Sequence, residues 1–88
     1  MNIKGEFDMF INKTSDGRHN ICGKQIMKYR KEQGKSQREL ANSLQLLGLD
    51  VDKNAIQRME AGKRFVTDIE ISYLAKALNV SFDELLSE

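Results

Sequence analysis

The sequence predicts an all-α fold, with five short helices that follow a non-helical N-terminal arm. Apolar residues recur at helical spacing from residue 21 onward, helix-capping patterns separate the apolar runs, and the 88 residues include no proline. A chain of this length can bury one hydrophobic core. We therefore expect an arm at residues 1–20 and a single domain at residues 21–88.

Residues 1–20 lack helical periodicity. Their apolar side chains, among them Phe7, Phe10 and Ile11, are interspersed with glycine, serine and acidic residues. An arm, an edge strand and disorder all fit this composition. A secretory signal is not expected, because Glu6 and Asp8 interrupt the apolar stretch.

The first two helices are predicted on either side of Gly34. Cys22, Ile26 and Tyr29 share one helical face, and Gly34 is a natural residue for the turn that ends this helix. The second helix begins with a capping box at residues 36–39, in which a serine hydroxyl and a glutamate carboxylate each bond a free backbone amide. Its apolar stripe consists of Leu40, Ala41, Leu44 and Leu47.

The third helix has two candidate N-caps, Asp50 and Asp52. If Asp52 is the cap, Val51 and Ile56 take the two positions of a hydrophobic staple, whereas Asp50 as the cap leaves no such pair. Asp52 is therefore the better cap. Ile56 and Met59 should then face the core.

Glycine and capping signals also delimit the remaining helices. Gly62 is expected to end the third helix, and capping boxes at residues 67–70 and 81–84 begin the fourth and fifth. Asn79, which tolerates the left-handed conformation, should end the fourth helix. Five helices joined by tight turns follow from these signals.

Charge is distributed unevenly along the chain, although its net value is only +1. Residues 21–38 carry six bases and one acid, and residues 53–64 carry four bases and one acid. Residues 65–88, in contrast, carry one base and five acids. A basic front and an acidic back are typical of a domain with one face toward phosphate groups, and a mixed solvated surface is the alternative.

Four pieces of the sequence, in order, carry motifs of one known family. They are residues 23–26 with Arg30 and Gly34, residues 36–41, residues 54–64, and residues 74–81 with 83–86. Together they resemble the Cro and phage-repressor helix-turn-helix family over about residues 21–87. The resemblance implies a five-helix repressor-like DNA-binding domain whose third helix, at about residues 53–61, reads the major groove of double-stranded DNA.

One segment departs from the pattern of that family. Fifteen positions separate Ala41 from Ile56, which is more than the family usually has, and residues 45–50 carry the excess. Either the second helix is longer or the turn that follows it is wider. The angle at which the third helix meets the groove depends on which of these holds.

Four polar residues of the third helix form the expected base-reading set. Because the two apolar residues of this helix face inward, its polar residues must lie toward the other side or the flanks. Arginine or lysine can bridge N7 and O6 of guanine, and asparagine or glutamine can pair with N6 and N7 of adenine. The resemblance implies base contacts for three of the four, with Gln57 adjacent; a solvated helix face is the alternative. The set is Lys53, Asn54, Gln57 and Arg58.

Phosphate contacts are expected at the edges of this region. Gln37 lies in the first turn of the second helix, where free amides and the positive helix end favour an anion. Lys63 and Arg64 follow the third helix, and Lys35 precedes the second. Ordinary surface charge is the alternative for each basic residue.

Two further sets of residues are expected to contact protein and not DNA. The resemblance implies a largely buried ion pair between Arg30 and Glu60. Phe82, Leu85 and Leu86 either form part of a homodimer interface, since domains of this kind normally dimerise, or complete the core.

No cofactor, metal or catalytic site is expected. His19 and Cys22 are the one histidine and the one cysteine of the sequence, whereas a structural zinc site takes about four ligands. No serine, cysteine or carboxylate has a histidine base in an interpretable motif. No apolar run approaches the roughly 18 residues that a membrane span requires. A single cysteine also suits a reducing compartment, so we expect a cytoplasmic protein at a prokaryotic or phage nucleoid.

Two functions from different classes fit these observations. The first is a sequence-specific DNA-binding transcription regulator, which is not an enzyme, and which reads an operator with its third helix. The alternative is an antitoxin or another helix-turn-helix module whose main partner is a protein. Such a partner would bind the apolar N-terminal arm, and a toxin gene beside this gene would favour that alternative.

Overall fold

The computed structural model describes residues 12–88, and within them it contains five α-helices and no β-strand. The predicted all-α class is therefore confirmed. None of the helices in this range could cross a membrane. The apolar arm residues Phe7, Phe10 and Ile11 lie outside the described residues. The helices are α1 (Gly23–Glu32), α2 (Gln37–Leu47), α3 (Lys53–Glu60), α4 (Asp68–Leu78) and α5 (Phe82–Leu86).

Four of these helices begin at the caps that the sequence predicts. Ser36, Thr67 and Ser81 each accept a hydrogen bond from the backbone N–H three residues further on, and each forms a complete capping box. Asp52 caps α3, because its Oδ1 accepts a hydrogen bond of 2.8 Å from the N–H of Ala55. The choice of Asp52 over its competitor is therefore confirmed.

The connection between α2 and α3 divides the extra residues of this chain between a helix and a turn. Residues 45–47 belong to α2, which ends at Gly48 with φ of 107°, a left-handed conformation that glycine adopts without strain. Residues 48–52 then lead to α3. The side chain of Gln45, in the last turn of α2, donates a hydrogen bond of 2.7 Å to the carbonyl of Val51 in this connection. Val51 itself is buried.

The hydrophobic core receives side chains from all five helices. Helix α1 packs on α3, α4 and α5, and α2 packs on α3 and α4. Burial of each large apolar side chain contributes about 1.5–3 kcal/mol. The largest fully buried side chains of the helices are Ile26, Leu40, Leu44, Ile56, Met59, Leu74, Leu78 and Leu85.

The apolar residues of α5 have two different environments. Leu85 has no exposed surface and belongs to the core, so it is not available to contact a second copy of the chain. Of the two alternatives stated for Leu85, its burial therefore favours completion of the core. Phe82 and Leu86 keep 54% and 40% of their surface exposed.

Residues 12–20, which were expected to belong to the arm, fold back onto the helical domain. The N–H of Thr14 donates to the carbonyl of Arg18 at 2.7 Å, and the Arg18 N–H donates to Thr14 Oγ1 at 3.0 Å. Asp16, which also bonds Thr14, forms an exposed ion pair of 3.0 Å with Lys24 of α1. The Thr14 contacts hold the segment in a turn, and the Asp16–Lys24 pair joins it to the first turn of α1.

Cys22 lies at the junction between this segment and α1. Its side chain is 1% exposed, and burial raises the pKa of its thiol to about 11. The side chain of Cys22 makes no capping hydrogen bond at the start of α1. Asn20 supplies one, because its Oδ1 accepts a hydrogen bond of 2.7 Å from the N–H of Gly23. Within residues 12–88, no group of three or more histidine, cysteine or acidic residues could hold a metal ion.

Candidate nucleic-acid interface

Helix α3 has one face in the core and one face in solvent. Ile56 and Met59 are fully buried, and they fix the rotation of the helix about its axis. The structure places all four polar residues of the predicted base-reading set at the surface. The exposed residues are Lys53, Asn54, Gln57 and Arg58.

The spacing of these four residues arranges them in two pairs along the helix. Lys53 and Gln57 are four positions apart, as are Asn54 and Arg58, so each pair shares one strip of the helix surface. Asn54, Gln57 and Arg58 also line a surface depression, together with Ala61 and Lys63. This depression combines carboxamide groups with cations, which are the groups that bond the edges of base pairs.

A buried ion pair anchors the C-terminal end of α3. Glu60 Oε2 accepts a hydrogen bond of 2.6 Å from Arg30 Nε, and Oε1 accepts one of 2.9 Å from Nη2. The two side chains are 3% and 9% exposed, respectively. Arg30 Nη1 also donates to the carbonyl of Lys35 at 2.9 Å, and hydrogen bonding to Glu60 raises the pKa of the arginine.

Three of the predicted phosphate-contact residues have different environments. Lys63 is exposed beside the depression. Gln37 Nε2 donates to Glu60 Oε1 at 3.0 Å, and Lys35 Nζ donates to the carbonyl of Ala77 at 3.2 Å. A phosphate bound by Gln37 or Lys35 would therefore compete with an existing intramolecular hydrogen bond.

Arg64, the fourth predicted phosphate contact, is paired with Glu70 of α4. Its two terminal nitrogens donate to the carboxylate at 2.9 and 2.6 Å, and Nη1 also donates to the carbonyl of Phe65. Glu70 is also the last residue of the Thr67 capping box, at the third position of α4. The hydrogen bond from Arg64 is the main reason why the pKa of Glu70 lies below its usual value. Arg64 thus ties the loop after α3 to the start of α4.

Asn20 makes three contacts that the sequence interpretation missed. Its Nδ2 donates to the carbonyls of Met59 at 3.0 Å and Arg64 at 2.8 Å, while its Oδ1 caps α1. The side chain is buried. No periodic pattern could have revealed this role, because the bonded carbonyls lie about forty positions further along the chain.

The two residues before Asn20 bind the same region. Arg18 Nη2 donates to the carbonyl of Glu60 at 2.6 Å, and the N–H of His19 donates to the carbonyl of Gly62 at 2.8 Å. The ring of His19 meets the ring of Phe65 edge to face, with centroids 4.7 Å apart. Residues 18–20 therefore form one continuous contact with the end of α3 and the loop after it.

Comparisons with known proteins agree with this architecture. A family model described as helix-turn-helix matches residues 26–85. Among solved structures, the chain is similar to the restriction-modification controller protein C.AhdI from Aeromonas hydrophila, with 30% identity and a TM-score of 0.64. That similarity covers 73% of this chain and 86% of the controller protein. A comparison with curated proteins found no match. The chain therefore belongs to the helix-turn-helix family of the Cro and phage-repressor type, whose members are DNA-binding transcription regulators.

Proposed function

We propose that this chain is a non-enzymatic transcription regulator that reads a DNA operator with α3. The observation that carries the proposal is that α3 has one apolar, buried face and one polar, exposed face. Ile56 and Met59 are fully buried, and the polar residues at 53, 54, 57 and 58 are exposed. An α-helix of this kind fits the major groove of B-form DNA, where each base pair presents a distinct pattern of donors and acceptors.

In this proposal, the side chains of α3 have distinct roles. Lys53 and Arg58 donate to N7 and O6 of guanine, and Asn54 and Gln57 pair with N6 and N7 of adenine. Lys63, exposed at the rim of the same depression, contacts a phosphate and so sets the register of the helix on the duplex.

Three further phosphate contacts require side chains to change partners. Gln37, Lys35 and Arg64 donate to protein oxygens in the absence of DNA. Gln37 and Lys35 flank the N-terminal end of α2, where free backbone amides and the helix dipole favour an anion. Exchange of the intramolecular acceptor for a phosphate oxygen retains a charged acceptor for Arg64 and Gln37, and it replaces the neutral carbonyl acceptor of Lys35 with a charged one.

The proposal includes a homodimer. Phe82 and Leu86 are the apolar residues of α5 that remain exposed, and they are the proposed contacts between two copies. A two-fold dimer of this kind places its recognition helices about 34–36 Å apart, in successive turns of the major groove. The operator should then be an inverted repeat. The similar solved structure is a restriction-modification controller protein, which supports a regulatory role for this chain.

Selection of bound duplexes from a random DNA pool tests this function. The unmodified chain should enrich an inverted repeat, and Arg58→Ala should lose preference at one position of each half-site. Loss of a bidentate contact to a base costs about 1–3 kcal/mol of discrimination. Lys63→Ala is the matched control, because loss of a phosphate contact should weaken all duplexes alike and reduce the salt dependence of binding.

Two results would contradict the proposal. Enrichment of no sequence by the unmodified chain would refute operator reading and favour the alternative of a protein-interaction module. An identical motif for the unmodified chain and for variants at each of the four α3 positions would refute the assignment of α3 as the reading helix.

A further inference from the structure

The end of α3 is held by a segment that lies outside the family match. The last carbonyls of any helix lack partners within the helix, and they must find donors elsewhere. Residues 18–20 supply donors to two of the last four carbonyls of α3, those of Met59 and Glu60, whereas the family model begins at residue 26. Donors of this segment bind four carbonyls, those of Met59, Glu60, Gly62 and Arg64.

Arg18 fits closely between two glycines. A Cβ atom added to Gly62 would lie 2.7 Å from Arg18 Cζ, and one added to Gly23 would lie 2.6 Å from Arg18 Nη2. Both distances are too short for real atoms, so a side chain at either position would force the guanidinium to move from its place. The guanidinium also places a permanent positive charge at the negative end of the α3 dipole.

The held carbonyls surround residues that face the proposed DNA surface. Lys63 lies between Gly62 and Arg64, whose carbonyls accept from His19 and Asn20 respectively. The carbonyls of Met59 and Glu60 follow directly on Arg58. The segment therefore fixes the backbone on both sides of the Lys63 side chain and at the end of the helix that carries Arg58, although residues 18–20 do not line the depression themselves.

We infer that Arg18 and Asn20 are positioning residues for operator recognition: they hold the C-terminal end of α3 and the Lys63 loop in the orientation that base reading requires. The inference rests on the proposed function and deepens it. Loosening this contact should let the C-terminal end of α3 and the Lys63 loop shift, while Ile56 and Met59 stay buried in the core. Base contacts depend on that orientation, whereas non-specific attraction to phosphates does not.

The test compares two binding constants for each of five proteins: the unmodified chain, Asn20→Ala, Arg18→Ala, Arg18→Lys and Lys24→Ala. One duplex is the sequence that the unmodified chain selects, and the other has a scrambled sequence of equal length. The measured quantity is the ratio of the two affinities at fixed salt. Circular dichroism at the same temperature establishes that each variant is folded. Lys24→Ala is the charge-matched control for Arg18→Ala, because Lys24 bonds Asp16 and not α3.

Asn20→Ala and Arg18→Ala should each lower the ratio about tenfold, because affinity is lost for the selected duplex only. A loss of this size is expected when one base contact is misaligned. Arg18→Lys should lower the ratio less than Arg18→Ala does, because lysine keeps a charged donor. Lys24→Ala should leave the ratio unchanged. A general loss of stability would instead reduce both affinities by the same factor.

An unchanged ratio in both alanine variants overturns the inference and leaves the proposed function intact. If Asn20→Ala does not fold, the arginine variants decide the question. If neither alanine variant folds, residues 18–20 act on stability alone and the inference is overturned. Failure of the unmodified chain to select any sequence overturns the proposed function, and this inference with it.

Discussion

Gln37 and Glu60 are joined by a hydrogen bond of 3.0 Å from the carboxamide nitrogen of one to Oε1 of the other. The same carboxylate accepts two hydrogen bonds from Arg30. One buried anion therefore connects α1, the first turn of α2 and the last residue of α3. The helix-turn-helix unit is held at this point by polar contacts as well as by its hydrophobic core.

Replacement of Glu60 by alanine should destabilise the fold strongly. The variant leaves the Arg30 guanidinium buried without its counter-ion, and breaking such a pair by removal of one partner typically costs about 3–5 kcal/mol. Urea denaturation followed by circular dichroism measures the loss. Lys24→Ala, which removes one partner of an exposed ion pair, is the control and should leave the midpoint nearly unchanged. Equal midpoints for the unmodified chain and Glu60→Ala would refute a structural role for the buried pair.

Asp52 and Asp50 provide a matched pair for a test of the α3 cap. Asp52→Ala removes the hydrogen bond to the N–H of Ala55 and should cost about 1 kcal/mol of stability. Asp50→Ala removes an exposed carboxylate of equal charge two residues earlier. Thermal melting of both variants should show a clear loss only for Asp52. A larger loss of stability for Asp50→Ala would show that the assignment of Asp52 as the N-cap of α3 is wrong.

Alanine substitutions at Gly23 and Gly34 should destabilise the fold for two different reasons, which are steric conflict at Gly23 and backbone strain at Gly34. A Cβ atom on Gly23 would lie 2.1 Å from the carbonyl oxygen of Met59, so Gly23→Ala must push α1 away from the end of α3. Gly34 has φ of 68° and open space around it, so Gly34→Ala should cost only the roughly 1–2 kcal/mol of a left-handed residue. Denaturant titration should rank Gly23→Ala as the more destabilised variant. The reverse order would contradict this close approach of the two helices.

The pairing of Arg64 with Glu70 predicts sensitivity to acid. Because the folded-state pKa of Glu70 lies below its ordinary value of 4.5, the ion pair contributes its full stability above that value. This contribution is lost as the pH falls through the lowered pKa. Melting temperatures between pH 7 and about pH 3 should therefore decline more steeply for the unmodified chain than for Glu70→Gln. Glu32→Gln, which removes an exposed carboxylate, serves as the control. Parallel curves for the unmodified chain and Glu70→Gln would count against the prediction.

Phe82 and Leu85 should respond differently to substitution. Leu85→Ala opens a cavity in the core and should cost about 2–5 kcal/mol. Phe82→Ser removes an exposed aromatic ring, so it should weaken self-association with little effect on the unfolding of one chain. Sedimentation equilibrium and urea denaturation of both variants distinguish the two effects. A dimer that is equally stable with serine at position 82 would exclude this part of α5 from the interface.

The helical part of the fold was predictable because its signals are local. Capping boxes and helical periodicity each span a few residues, and the caps at Ser36, Asp52, Thr67 and Ser81 are all found where the sequence places them. The left-handed Asn79 follows the same rule. The exposed face of α3 was predictable for a related reason, since two buried anchors in an eight-residue helix determine which side remains in solvent.

The contacts that the sequence did not reveal join distant parts of the chain. Asn20 and Arg18 bind backbone carbonyls, which every residue carries, so composition gives no hint of their partners. Arg64 illustrates the same limit. Its charge suggested a phosphate contact, but its distance to Glu70 depends on the turn between α3 and α4. The assignments of base and phosphate contacts stay predictions.

The burial of Cys22 has a practical consequence. The thiolate is the form that reacts with maleimides, and a thiol with a pKa of about 11 is almost entirely protonated at neutral pH. Cys22 should therefore remain unmodified in the folded protein. A fluorophore can then be attached to one new surface thiol, such as that of Ile69→Cys, an exposed position that does not line the depression, without prior replacement of the native cysteine. Fluorescence anisotropy of this conjugate would follow complex formation in real time.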